Sequence, residues 1–405
     1  MIQPALRLKL QNTRQSRLLR FLDNVDSENL KKLVNDLENI DWSIFELENT
    51  SETSLSNIEP MQIMGQMYVR DHKNDYAKLG IKSIQEGKLA LVLLAGGQGS
   101  RLGCDGPKGV VNVGITYDLY IFELLMKHTL EIVKLAGCFI PFCIMTSELN
   151  DTQTRVFFKK HAYFGYDPKF IHFFVQDSNP VTDLEGQILM KSPTEIMKSP
   201  NGNGGWYSSL YKSHVMSNTI FQNVEWINVF SVDNVLQRIA DPVFLGATLD
   251  SGCWCGAKVV KKTSPNEKVG AICKIDGKPY IIEYYELEKL KQQGIITDYK
   301  LFDYGVTLNY LFNATKLHET LSNSLPIHKV KKNVPLLYQE GEWISSDSEN
   351  AYKYETLALD LIHMLDSCLA FEVDREKEFA PIKNKIGKDS MESARELLIK
   401  NGWKL

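Results

Sequence analysis

Leu89-Ala90-Leu91-Val92-Leu93-Leu94-Ala95-Gly96-Gly97-Gln98-Gly99-Ser100-Arg101-Leu102-Gly103 decides the fold of this chain. Its opening residues are apolar without polar alternation, the pattern of a strand buried on both faces of an α/β sheet. The glycines that follow let the backbone turn sharply and approach a ligand with its own N–H groups. Arg101, among the glycines, and Lys108, just after Pro107, place fixed positive charge where an anion would lie. Together they predict a nucleotide-phosphate site at the end of a buried strand.

Two better-known glycine loops do not fit. A P-loop needs Lys-Ser or Lys-Thr directly after its last glycine, and none follows here. The dinucleotide fingerprint fails because Gly97, Gly99 and Gly103 leave one residue too many in the second gap, which counts against a dehydrogenase. A plain turn between strand and helix accounts for the glycines but not for the paired cations.

The 405 residues, 43% hydrophobic and 24% charged, have ordinary globular composition and suffice for one large α/β domain with an attached piece, or for two to three domains. A formal charge of −4 gives no global attraction to nucleic acid or anionic membrane, so an anionic substrate must be captured by local cations. Met1-Ile2-Gln3-Pro4 leads into charge rather than the apolar core of a signal peptide. The longest apolar stretches, near 89–95 and 138–145, are too short to cross a bilayer. Seven scattered cysteines do not form a disulfide framework, and Cys253-x-Cys255 lacks the second pair or histidines of a zinc site. Buried thiols in a reducing cytoplasm are the expectation.

From about 14 to 88 the apolar spacing is helical and predicts several amphipathic helices beside the main sheet, with a polar loop over 48–57. Strands are expected over 89–94, 139–146, 171–176 and 226–232, alternating with helices over 121–135, 149–162 and 206–219. Asn150 or Asp151 offers an N-cap and Gly165 a stop. This alternation predicts a mostly parallel, doubly wound Rossmann-like sheet whose ligands bind at the carboxyl ends of its strands. Strand then follows strand over 255–260, 269–275, 279–283 and 301–308, with a hairpin at Asp276-Gly277. The tail has short strands and helices over 356–369 and 390–400. The expected organisation is a helical region 1–87, a nucleotidyltransferase region 88–324 and a short C-terminal α+β region 325–405.

Four polar clusters fall where that topology places ligands. Gln176 ends the block Ile171-His172-Phe173-Phe174-Val175, so its amide can read a base edge. Asn201-Gly202-Asn203-Gly204-Gly205 opens a helix and offers either free N–H groups or a surface turn. Asp233 follows a strand and suits Mg²⁺, a hard cation that bridges carboxylates to phosphates; it also suits a helix N-cap before Val235. Lys353 and Lys383 are late lysines that spacing alone would not select.

Leu94-Ala95-Gly96-Gly97-Gln98-Gly99-Ser100-Arg101-Leu102-Gly103 with Pro107-Lys108-Gly109 resembles the signature of the eukaryotic UDP-sugar pyrophosphorylases, in particular of those acting on N-acetylglucosamine 1-phosphate. The likeness continues through Phe173-Phe174-Val175-Gln176, Asn201-Gly202-Asn203-Gly204-Gly205, Val232-Asp233-Asn234, Cys255-Gly256-Ala257-Lys258-Val259-Val260, Val269-Gly270, Ile282-Glu283-Tyr284 and Glu378-Phe379-Ala380-Pro381-Ile382-Lys383-Asn384, spanning roughly 81–403. It implies a nucleotide-diphospho-sugar transferase fold and a cytosolic enzyme that joins UTP and N-acetylglucosamine 1-phosphate, an N-acetylhexosamine 1-phosphate, into UDP-N-acetylglucosamine and pyrophosphate with Mg²⁺, or Mn²⁺ in its place. By position, Leu94, Ala95, Gly96, Gly97, Gln176 and Gly202 hold uridine and ribose. Arg101 and Lys108 hold the UTP phosphates, and Lys353 contacts the nucleotide phosphate region. Asn203, Gly270, Glu283, Tyr284 and Asn309 hold the sugar; Asp233 binds Mg²⁺ and nucleotide; Lys383 grips the sugar phosphate. Leu357 and Leu359 stand where some members carry aromatics, which leaves a different wall around the N-acetyl group. The same chemistry on glucose 1-phosphate is the second reading, and a catalytically dead sensor has no need of both phosphate clamps. The chain stops at Leu405, where longer members continue into a β-rich domain that makes oligomer contacts, so a monomer is expected.

Overall fold

Runs of consecutive apolar residues build the middle of the structure. The computed structural model describes residues 2–38, 40–45, 57–295, 302–339 and 342–405. In its described residues the chain packs as two compact units, one of Met1–Ser54, Asp177–Gly205 and Leu325–Leu357, the other of Leu55–Gln176, Trp206–Ser324 and Ala358–Leu405.

The larger unit is built on an eleven-stranded sheet. Its strands are β1 (Ile58–Pro60), β2 (Ile63–Met64), β3 (Leu89–Leu94), β4 (Phe142–Thr146), β5 (Ile171–Val175), β6 (Trp226–Ser231), β7 (Cys255–Lys261), β8 (Ala271–Ile275), β9 (Lys278–Ile282), β10 (Tyr304–Asn313) and β11 (Cys368–Glu372). The order is β2-β11-β7-β10-β6-β3-β4-β5, with β1, β8 and β9 branching from β10. The run β6-β3-β4-β5 is parallel, so four carboxyl ends open on one edge. β10 runs antiparallel to both its neighbours, making the sheet mixed. All six residues of β3 are buried, each large one worth about 1.5–3 kcal/mol over an exposed position. Helix Lys73–Gln85 packs on helix Pro242–Ser251 at backbone distance: a side chain on Gly246 would run into the Tyr76 carbonyl.

The ladder between β7 and β10 carries an irregularity. Ala257 faces Tyr310, yet Val259 faces Val306, so β10 holds two residues more than β7 over that interval. Leu308, within it, takes a left-handed φ of 53°, a conformation that costs a branched residue of order 1–3 kcal/mol.

The smaller unit closes its own core. Helices Pro4–Asn12, Ser16–Leu22 and Ser27–Glu38 bury Leu6, Leu10, Leu18, Leu33 and Leu37 with Ile188, Met190 and Ile196. Buried Gln15 ties the helices to the strand region: its Nε2 donates to the Gly186 carbonyl at 3.0 Å, and its Oε1 accepts from Ile188 N–H at 2.8 Å.

The sheet and its alternation stand as expected, and three local readings are corrected. The first three N-terminal helices, expected to form part of the main-sheet packing, build the core of this smaller unit. The helix over 206–219 stops at Lys212, because His214 adopts a left-handed φ of 56° and short 3₁₀ turns follow. The helix over 356–369 is only Asp360–His363, and Cys368–Glu372 is instead a strand of the sheet, parallel to β7. Pairing with an open strand edge overrides helical spacing in that apolar run. The hairpin at Asp276-Gly277 forms with φ of 50° and 79°, as a two-residue primed turn requires. Residues 48–56 of the expected polar loop, and the start of the expected strand at 301, lie outside the described residues.

Candidate active site

The glycine loop leaves the carboxyl end of β3 and is fastened at several points. Gly99 N–H donates to the Gly106 carbonyl at 2.8 Å, Lys108 N–H to Gly97 at 3.1 Å, and Gly103, φ 75°, closes the turn Ser100–Leu102. The strongest brace is Asn150, which sequence reading offered only as a helix cap. Its Nδ2 donates to the carbonyls of Ala95 at 3.0 Å and Gly97 at 3.2 Å, while its Oδ1 accepts from Ser147 N–H at 2.8 Å. At 1% exposure that amide is fully used to set the loop's path.

Gln176 follows β5 and its amide lies against Gly96. A Cβ on Gly96 would stand 2.5 Å from Gln176 Nε2, so a glycine there is what lets the two approach. An amide and a bare backbone facing one space suit the flat, polar-edged face of a base.

Asp233 lies two residues past β6. Its carboxylate Oδ1 meets Lys108 Nζ at 2.7 Å, with the lysine side chain 13% and the aspartate side chain 32% exposed. No helix follows Asp233 in the structure, so the N-cap reading falls away and the carboxylate stands just past the carboxyl end of β6. Lys383 reaches the same edge on a segment stitched to this turn. Ile382 N–H donates to the Asp233 carbonyl at 2.9 Å, and Asn234 both donates to the Glu378 carbonyl at 2.7 Å and accepts from Ala380 N–H at 2.9 Å. Lys383 Nζ stands 3.9 Å from Asp389 Oδ2. Arg101 is exposed on the loop.

Beneath this edge lies a charge cluster the sequence reading missed. Lys258, 1% exposed in the middle of β7, donates to Asp241 Oδ2 at 2.8 Å and Glu378 Oε2 at 2.6 Å. Burial would drive the amine towards neutrality; the two carboxylates outweigh it and hold its pKa above the usual value. Glu378 thereby anchors the segment that carries Lys383. A lysine inside the apolar run Cys255-Gly256-Ala257-Lys258-Val259-Val260 was the available signal, since a buried ammonium requires carboxylates.

Four of the five residues expected at the sugar, Gly270, Glu283, Tyr284 and Asn309, lie on the β8–β10 side of the same unit. Gly270 precedes β8, and a Cβ there would stand 3.8 Å from Glu283 Oε1. Glu283 N-caps helix Tyr284–Gln292 in a capping box, and Tyr284 is 38% exposed. Asn309, fully buried on β10, accepts from Asn228 Nδ2 at 2.8 Å and donates to the Arg238 carbonyl at 3.2 Å, so its amide braces the protein. In the smaller unit Gly202, φ 85°, lies so close to Thr356 that a side chain would collide with its backbone. Gly204 N–H donates to the Thr356 carbonyl at 2.8 Å, so this N–H of the loop is spent inside the protein. Asn203 follows Gly202, and Lys353 sits on strand Ala351–Glu355 opposite Val330.

Asp233 is a single carboxylate, and among the described residues no group of three or more His, Cys, Asp or Glu side chains is placed to hold a metal ion. That donor set fits Mg²⁺, which keeps several waters and takes one or two carboxylates plus phosphate oxygens. It does not fit a closed zinc site.

A parallel sheet end with a braced glycine loop, an amide packed against its bare backbone and a lysine–aspartate pair is the arrangement of a nucleotide-handling α/β protein. The family of UTP–glucose-1-phosphate uridylyltransferases matches residues 38–398, and the chain belongs to it. It is 34% identical over 332 residues to the human UDP-N-acetylhexosamine pyrophosphorylase-like protein 1, covering 79% of this chain and 66% of that one. It is 31% identical to the UDP-N-acetylglucosamine pyrophosphorylase of Saccharomyces cerevisiae, covering 96% and 84%. The solved UDP-N-acetylglucosamine pyrophosphorylase of Trypanosoma brucei shares the fold, with a TM-score of 0.81 at 24% identity over 97% of this chain and 83% of that one. The chain spans 62–66% of the length of the vertebrate relatives it matches. Among the described residues no helix is long and apolar enough to cross a membrane.

Proposed function

We propose that the chain is a uridylyltransferase that joins UTP and N-acetylglucosamine 1-phosphate to give UDP-N-acetylglucosamine and pyrophosphate. The observation that carries this reading is the Lys108–Asp233 pair at the carboxyl ends of β3 and β6, with the Lys383 segment hydrogen-bonded to the same turn. Family membership and the named yeast relative support it.

In this reading an oxygen of the sugar phosphate attacks the α-phosphorus of UTP in line. The new O–Pα bond forms as the bond from Pα to the bridging oxygen breaks, and pyrophosphate leaves with that electron pair. The attacking oxygen is already ionised, so no general base is needed. Catalysis reduces to alignment and charge neutralisation between two anions. The glycine loop, Leu94 to Gly97, and Gln176 orient uracil and ribose. Arg101 and Lys108 take up charge on the leaving pyrophosphate, and Lys383 neutralises the entering phosphate. Bound Mg²⁺, held by Asp233, would add charge neutralisation at the phosphates. Lys108 then exchanges part of its contact with Asp233 for phosphate oxygen, which its partial exposure permits. Gly270, Glu283 and Tyr284 are proposed for the sugar, with Asn309 as brace behind them. For Gly202, Asn203 and Lys353 the ribose, sugar and phosphate assignments stand as proposals about each residue. Regions 88–324 and 325–405 are proposed to serve the nucleotide and the sugar phosphate. The enzyme is proposed to work as a cytoplasmic monomer without nucleic acid or membrane, which light scattering checks.

The test is pyrophosphate release from UTP and Mg²⁺ with the 1-phosphates of N-acetylglucosamine, N-acetylgalactosamine, glucose and galactose. Release with the acetylated sugars alone supports the reading. Equal use of glucose 1-phosphate replaces it with a broad UDP-sugar enzyme, and no release with any of them refutes the transfer.

A further inference from the structure

We propose that Lys385 is a third cation of the glycine loop and binds the pyrophosphate end of the triphosphate. The proposal extends the function above by a residue that neither the glycine signature nor its cations contain.

Lys385 is brought there by a tightly specified turn. Lys383 N–H and Asn384 N–H both donate to the Asp389 carbonyl, at 2.7 Å and 3.1 Å, and Asn384 Nδ2 donates to Lys388 at 3.2 Å. Asn384 then pairs with Ser390, which caps the last helix, Met391–Lys400. Upstream the segment is held by Ile382 on Asp233 and by Glu378 on Lys258. A turn fixed at both ends projects Lys385 over the glycine loop. A Cβ built on Gly103 would lie 2.5 Å from Lys385 Nζ and 2.8 Å from its Cε, so the ammonium rests directly on that glycine.

Its charge surroundings differ from those of its neighbours. Lys388 and Arg375 share the buried Glu267 carboxylate, and Lys383 has Asp389. Lys385 has no ion-pair partner among the described residues. Arg101 stands two residues before Gly103 and Lys108 five after it, with Asp105, exposed, as the acidic residue of the loop. Asp233 is already occupied by Lys108. An exposed ammonium lying on glycine backbone, in a loop that already carries two cations, is stabilised by an anion with several negative oxygens, and the leaving pyrophosphate is that anion. Gly103 matters for a second reason: with φ 75°, it is the position where a side chain would both strain the backbone and displace the lysine.

The experiment is calorimetric titration of the full chain with inorganic pyrophosphate, and separately with UMP, for the wild type, Lys385→Ala and Lys385→Arg. Pyrophosphate affinity is expected to fall about tenfold in Lys385→Ala and to recover within about threefold in Lys385→Arg, with UMP affinity held within about twofold. Unchanged pyrophosphate affinity in Lys385→Ala overturns the proposal. An equal loss for UMP also overturns it, because it signals a loosened loop instead of a lost contact. Wild-type chain that binds pyrophosphate through Lys385, yet releases none from UTP with any sugar phosphate, refutes the transferase reading while leaving this anion site standing.

Discussion

Two lysines of the larger unit meet carboxylates at nearly the same distances with opposite consequences. Lys108 meets Asp233 at 2.7 Å with both side chains reached by water, whereas Lys258 meets Asp241 and Glu378 at 2.8 and 2.6 Å with water excluded. A pair that water still reaches gains little from its Coulomb attraction, about 0–1 kcal/mol at a fully exposed surface, and so exchanges partners readily. A buried charge has no such freedom, because losing one partner strands the others in a medium that cannot solvate them. Distance alone therefore does not separate a working pair from a structural one; burial does.

The sharpest way to break this comparison is Lys258→Ala. It leaves Asp241 and Glu378 buried side by side, and about 3–5 kcal/mol of stability should be lost in urea unfolding. A loss under about 1 kcal/mol would erase the distinction. Next comes Lys108→Ala, expected to lower turnover about 10²–10³-fold while stability moves by less than about 1 kcal/mol. Full turnover with an intact melt removes Lys108 from the phosphate clamp.

His128 tests the rule on a base whose ring Nε2 is buried and which has no carboxylate partner among the described residues. Its Nε2 is buried and unbonded, and burial, with a smaller contribution from the Arg238 charge, pushes its pKa down to about 4. The unfolded chain, titrating near 6.5, binds the extra proton between these values. The stability due to neutral His128 is thus complete above pH 6.5 and lost as pH falls towards 4, at about 1.4 kcal/mol per pH unit. His128→Gln should flatten that slope relative to the wild type in unfolding measured across the interval; parallel curves would show the imidazole charging freely in the fold. The smallest effect is Gly96→Ala. The new methyl displaces the end of a flexible side chain, so folding changes by less than about 1 kcal/mol, but KM for UTP should rise about tenfold as the Gln176 amide moves. An unchanged KM would remove Gln176 from base reading.

Legibility in the sequence followed the same divide between local and long-range causes. Leu89 to Gly103 announces its strand and loop because burial on both faces and glycine conformation are written in adjacent residues. Asn150 looked like any helix cap, since its bonds to Ala95 and Gly97 reach more than fifty positions back. The expected helix over 356–369 took in Cys368 and Leu369, the first two residues of β11, because helical spacing in that stretch says nothing of a vacant strand edge further on. Lys385 was silent for a similar reason: its position over Gly103 depends on a turn fixed by Asp389 and Ser390, not on its neighbours in sequence. The cluster around Lys258 was the one long-range feature with a local clue.

The two additional residues of β10 opposite Ala257 and Val259 have an arithmetical consequence. Side chains alternate faces with a period of two, so an insertion of two leaves inward and outward positions unchanged on either side of it, much as an even shift preserves parity. Tyr304 to Val306 and Tyr310 to Phe312 therefore keep a common phase, while Asn309 turns towards the Arg238 carbonyl that Lys258 also contacts. Removing one residue there would invert every side chain of one half-strand; removing two would restore a regular ladder at the expense of Asn309's aim. The length of that irregularity is thus a quantised property of the chain, and only even changes to it are compatible with the core.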